Sequence, residues 1–171
     1  MKISTMVASV AVFALAACAG KPPLDEQQKV TLGDSLERFV ANRYLGTFEH
    51  PNPDTMLSFF AAGEDLRVAE NGMIYPTRDS LAASMRAFWG RPGLTAYFTS
   101  GPQHVTVLDR DAAVYTGMIT GGVRDSAGVE TRMTSAWTAV FTRTSEGWKI
   151  VAAHLSWPPA APAAPPAPRR R

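Results

Sequence analysis

Apolar positions recur at helical spacing near the start of the folded part of the chain. Val30, Leu36, Phe39, Val40 and Tyr44 fall on one stripe at three- and four-residue steps. This predicts a first helix over 24–45, weakened at Gly33 and stopped at Gly46. His50-Pro51-Asn52-Pro53 is a break, and Asp54 is the expected cap of a short second helix carrying Met56, Leu57, Phe59 and Phe60. Residues 66–70 and 73–75 flank Asn71-Gly72, the strongest short hairpin signal. Thr77 or Asp79 then caps a third helix with Leu81, Met85 and Phe88 on one face, ended by Gly90 and Pro92.

After Gly93 the period changes from helical to alternating. Residues 94–99, 104–108, 112–121, 129–143 and 148–157 are each rich in β-branched and aromatic side chains. Arg110-Asp111, Asp125-Ser126-Ala127-Gly128 and Ser145-Glu146-Gly147 supply turns. Helices with one small hairpin, followed by an antiparallel meander, make an α+β domain over 25–157 with helices on one face of a curved sheet.

Register then assigns faces. With Ser145-Glu146 at the centre of the last turn, Trp137 stands opposite His154 and Ser135 opposite Ser156. With Ser126-Ala127 at the centre of the preceding turn, Thr116 stands opposite Trp137 and Met118 opposite Ser135. The expected inner face therefore collects Val114, Thr116, Met118, Met133, Ser135, Trp137, Phe141, Trp148, Ile150, His154 and Ser156. The outer face carries Tyr115, Thr134, Thr138, Val140, Thr142, Lys149, Val151, Leu155 and Trp157.

Charge changes the picture only at the ends. The formal net charge is +2, but Lys2, Lys21 and Arg169 to Arg171 lie outside the predicted domain; without those five, 12 bases face 15 acids, about −3. A nucleic-acid-binding domain carries its bases on a folded face, and none is visible, so no nucleic-acid partner is expected. The sole cysteine, Cys18, excludes an intrachain disulfide. Lys2, the apolar stretch 3–17 and Leu15-Ala16-Ala17-Cys18 have the layout of a secretory signal, too short to span a bilayer as a helix. The last four residues resemble a bacterial lipobox. That resemblance implies a signal peptide over 1–17, lipid on Cys18 and a linker over 18–24. With Ala19 rather than Asp after the cysteine, it also implies an outer-membrane lipoprotein facing the periplasm. A plain signal peptide or an uncleaved anchor is the alternative. From Pro158 to Pro168 the chain holds only Pro and Ala, and Arg169-Arg170-Arg171 follows. Residues 158–171 therefore read as a disordered extended arm.

The ending Glu146-Gly147-Trp148-Lys149-Ile150-Val151, then His154-Leu155-Ser156, is similar to that of the nuclear transport factor 2-like superfamily, its SnoaL-like and small stand-alone bacterial members in particular. The long strand over 132–143 and the run of residues 72–80 into a helix add to it. The resemblance implies a cone: a strongly curved antiparallel sheet wrapped around three N-terminal helices, with a cavity at the open end. It also implies homodimers formed through the outer sheet face. Isomerase members use an Asp base and a Tyr/Asp oxyanion pair deep in the cone. No such trio falls on the inner face expected here, since Asp109, Asp111, Asp125 and Glu130 lie in turns or at strand ends.

His154 is then the candidate general base, the one ionisable side chain expected inside the central strands. A buried histidine bonded to a neighbouring hydroxyl is the plainer reading. Trp137, Thr116, Met118, Ser135, Ser156, Phe88 and Tyr97 are the candidate ligand-pocket residues. His50, His104 and His154 show no metal-ligand spacing, and no phosphate loop or nucleophile elbow occurs, so neither a metal nor a cofactor is expected. The expected function is an envelope lipoprotein whose cone binds a small, mostly apolar ligand or a protein partner without catalysis. The alternatives are an isomerase or cyclase using His154 and a dimeric assembly module of the envelope.

Overall fold

The computed structural model describes residues 22–157. The expectations for Cys18, the signal segment and residues 158–171 therefore lie outside the described residues.

The first helix, α1 (Glu26–Arg38), starts at a capping box: Gln28 N donates to Asp25 Oδ1 at 2.7 Å, and Asp25 N donates to Gln28 Oε1 at 3.2 Å. It runs on as a wider π turn (Phe39–Tyr44) and a tighter 3₁₀ turn (Leu45–Phe48), so the apolar stripe continues to Phe48 rather than stopping at Gly46. These changes of pitch rotate Phe39, Val40, Tyr44, Leu45 and Phe48 all onto the buried side. The short α2 (Pro53–Leu57) is capped by Asn52, not by Asp54. Asn52 Oδ1 accepts from Asp54 N and Thr55 N, both at 3.0 Å, and Pro53 takes the first helical position, where no N–H is needed. The third helix, α3 (Arg78–Trp89), is capped by Thr77 as the sequence predicts.

The strands are β1 (Arg67–Glu70), β2 (Met73–Tyr75), β3 (Thr95–Asp109), β4 (Ala112–Arg124), β5 (Glu130–Thr144) and β6 (Gly147–Ser156). Asn71 and Gly72 both have positive φ, as a tight β1–β2 turn requires. The two strands predicted over 94–108 are one, β3, with its register interrupted between Ser100 and Gln103. The sheet order is β2-β1-β6-β5-β4-β3. It is antiparallel except between β1 and β6, which run parallel, with Ala69 beside His154 and Glu70 beside Leu155. The small hairpin thus extends the main sheet.

Two local features reverse part of the expected register. The β4–β5 loop is centred on Ala127: Asp125 Oδ1 accepts from Ala127 N and Val129 N, both at 2.9 Å, and Gly128 adopts φ 81. Gly117, not Thr116, therefore stands opposite Trp137, and Thr116 pairs with Thr138. In β6 an extra residue, Val151, sits between the pairs Phe141–Ile150 and Val140–Ala152. At this bulge Ile150 turns its backbone to the segment after α2, donating to Phe59 O at 2.8 Å while its carbonyl accepts from Ala61 N at 2.9 Å. Beyond it every side chain changes face. Trp137 stands opposite Leu155, and His154 opposite Thr138.

The core is aromatic at its centre. Trp137, Tyr115, Phe141, Leu36, Met56 and Ile150 are almost wholly buried. Phe39 meets Phe59 and Phe141 edge-on, at 5.6 and 6.1 Å between ring centroids. Such edge contacts add to plain area burial.

Candidate functional site

Between the helices and the inner face of the sheet lies a cavity of about 320 Å³. That is near the lower end of the size range of small-molecule sites. Its walls come mainly from four places in the chain, with Met56 of α2 and Phe60 after it adding a fifth. The end of the first helix gives Tyr44, Leu45 and Phe48; α3 gives Leu81, Ser84, Met85, Phe88 and Trp89; the hairpin gives Val68, Glu70, Met73 and Tyr75; and β3 to β6 give Phe98, Ile119, Met133, Ser135, Trp137 and Leu155. Tyr44 stacks on Trp137, and Phe48 meets both Trp89 and Phe98 at 5.0 Å between centroids. The wall is therefore mainly aromatic ring and thioether.

The polar groups are few. Ser84 Oγ donates to Tyr75 Oη at 3.0 Å, and Ser135 is buried. The Trp137 indole N–H is buried without a hydrogen-bond partner among the described residues. Burial raises the Glu70 carboxyl above its ordinary value of 4.5. The Tyr44 hydroxyl is also pushed up, first by burial and then by the Glu70 charge. These two groups form the acid–phenol pair of the cavity. Among the described residues no three His, Cys, Asp or Glu side chains lie together as metal ligands would.

Of the residues singled out in the sequence, Trp137 and Ser135 line this cavity, and Phe88 stands at its rim, 41% exposed. The others do not meet there. His154 is exposed on the outer face, in a shallow groove with Arg67, Ile74, Thr138 and Val140, because the Val151 bulge turns it outward. Ser156 is turned outward by the same bulge, while Leu155 and Trp157 take the inner side. Thr116 and Met118 point outward because the β4–β5 loop is centred one half-step later than expected. Tyr97 is 46% exposed and donates to Glu130 Oε1 at 3.0 Å. Tyr115, expected outside, is fully buried and donates to Gln103 Oε1 at 2.9 Å.

Sequence reasoning missed Glu70 and the role of Tyr44. A signal was present for both. Leu66, Val68 and Glu70 alternate, so a buried Val68 carries Glu70 to the same side. Tyr44 belongs to the helical stripe, which by itself marks it only as core.

Several solved structures share this fold. A candidate scytalone dehydratase from Novosphingobium aromaticivorans superposes with a TM-score of 0.68 at 13% identity, covering 85% of this chain and 99% of that one. A nuclear transport factor 2-like superfamily protein from Salmonella enterica gives 0.62 at 17% identity, with 81% and 96% covered. A candidate calcium/calmodulin-dependent protein kinase II association domain from Xanthomonas campestris gives 0.63 at 18% identity, with 74% and 87% covered. At these identities the likeness is one of fold. No curated protein matches the chain in sequence. Residues 38–161, a span running from the end of α1 through the whole sheet, match the SnoaL-like domain model, and the chain belongs to that family.

Proposed function

We propose that the domain binds a small, mostly apolar molecule in the cavity between helices and sheet, and that it does so without catalysis. The observation that carries this reading is the cavity itself: about 320 Å³ walled by aromatic rings and methionines, with Glu70 as its one carboxyl among the described residues. An apolar molecule removed from water there gains roughly 25 cal/mol per Å² of surface buried. Methionine walls adapt to its shape. The test is a titration of the purified full chain with the neutral fluorophore N-phenyl-1-naphthylamine. Saturable binding that is lost in a folded Ser135→Trp variant, whose indole would fill the space, is the expected result. No saturable binding to the wild-type chain would sink the proposal.

A second reading is favoured by one observation. Glu70 and Tyr44 place a carboxyl of raised pKa and a phenol at the same cavity. That pair would suit proton abstraction beside a carbonyl, as in an isomerase or dehydratase, with Glu70 in the part the sequence suggested for His154. Turnover of an enolisable ketone that is abolished in Glu70→Gln would establish it. Equal turnover in that variant would exclude it.

The same proposal keeps the domain at the cell envelope, tethered by lipid on Cys18, and paired with a second copy across the outer sheet face. Labelling with an alkyne-bearing palmitate that disappears in Cys18→Ser tests the tether. Sedimentation of the full chain in detergent tests the dimer.

A further inference from the structure

Among the described residues, the one carboxyl of the cavity faces no counter-charge. Among the residues that line it there is one acid, Glu70, and no Lys, Arg or His. Among the described residues Glu70 enters none of the ion pairs, all of which lie elsewhere: Lys29–Glu26, Arg86–Asp54, Glu130 with Arg124 and Arg132, and Lys149–Glu146. A carboxylate withdrawn from water without a counter-charge is costly, and burial here already shifts it toward the neutral form. Its surroundings are also unusual for an anion. Tyr44, Phe48, Trp89 and Trp137 line the same cavity, and the face of an aromatic ring carries the negative side of its quadrupole. Such a wall repels an anion and attracts a cation, most strongly where water is excluded.

We propose that the cavity selects an organic cation, a protonated or quaternary amine on a small apolar body, with its nitrogen against the Glu70 carboxylate and its hydrocarbon against the ring wall. The proposal rests on the ligand-binding reading and names the chemical class that fits it. A neutral hydroxyl would satisfy one lone pair of Glu70 and leave the charge unbalanced. A carboxylate ligand would add a second charge of the same sign.

The experiment compares three near-isosteric molecules, 2-phenylethylammonium, 2-phenylethanol and phenylacetate, titrated calorimetrically into the purified full chain at neutral pH. The ammonium ion is expected to bind at least about tenfold more tightly than the alcohol, with phenylacetate weakest. In Glu70→Gln, which keeps the shape and removes the charge, the preference is expected to shrink to within about twofold. An alcohol that binds the wild-type chain as tightly as the ammonium ion would overturn this inference and leave the apolar-ligand reading intact. If none of the three binds while N-phenyl-1-naphthylamine does, this inference alone is overturned; if that fluorophore does not bind either, both are. A preference for the ammonium ion that survives undiminished in Glu70→Gln would remove Glu70 from the assignment. The wild-type comparison stands without the variant.

Discussion

The ring of Tyr44 lies on the indole of Trp137, with centroids 5.2 Å apart and planes 18° from parallel. This stack ties the end of the first helix to the centre of the sheet, and both rings line the cavity. Trp137 also meets Tyr115 at 5.1 Å and Phe141 at 6.0 Å, so it joins the aromatic core to the site.

Trp137→Ala should therefore be among the most damaging single changes, at about 3–5 kcal/mol, because the rigid neighbours cannot close the gap. Trp137→Phe should cost clearly less, since the buried indole N–H makes no hydrogen bond among the described residues and none is lost. Urea unfolding of the two variants measures this. A loss below about 1 kcal/mol for the alanine variant would mean that the stack carries no weight.

Glu70 should make stability fall with rising pH. Its carboxyl is raised above 4.5 in the folded chain by burial, so the folded state holds the proton more tightly than the unfolded state. The contribution is full below the ordinary carboxylate value and is lost as pH rises through the raised one. Glu70→Gln should flatten this part of the profile and become the more stable protein toward neutral pH. Melting temperatures of both proteins from about pH 4 to about pH 8 check the sign.

Glu130 should act in the opposite direction. Hydrogen bonds from Arg124, then Arg132 and Tyr97, hold its carboxyl at about 2, below the ordinary value of 4.5. The stabilisation it gives is present above the ordinary value and is lost as pH falls from there through about 2. Glu130→Gln should thus lose stability at neutral pH, and the difference from wild type should vanish in strong acid. Denaturant midpoints at a series of acid pH values follow the loss. A difference that persists unchanged at the lowest pH would mean that the charge is not the cause.

His154→Ala should be nearly silent, within about 0.5 kcal/mol, because the imidazole is exposed on the outer face. Binding of N-phenyl-1-naphthylamine should keep the wild-type midpoint. A clear loss of affinity would put the imidazole back at the cavity and contradict the register of β6.

Much of this architecture is legible in the order of side chains. The stripe from Leu36 to Tyr44, the Asn71-Gly72 turn, a cap at Thr77 or Asp79 and the β-branched runs after Gly93 each act through neighbours in the chain, so local chemistry suffices to find them, whereas Val30, placed on the same stripe, is 54% exposed. The cap at Asn52 was misplaced by two residues because Pro53 is equally at home in a break and at a helix start.

Residue order alone carries the α+β class, the approximate places of helices and strands, and an aromatic interior. Which side chains look into the cavity is set by pairing between distant segments. Side chains in a strand alternate, so one extra residue at Val151 and a half-step at the β4–β5 loop exchange inside for outside over whole segments. The half-step goes with the Asp125-capped loop, and the bulge with the backbone partners that Ile150 finds on residues 59–61, far away in sequence. The same long-range pairing joins β1 to β6, and in doing so brings Glu70 to the cavity and leaves His154 outside it.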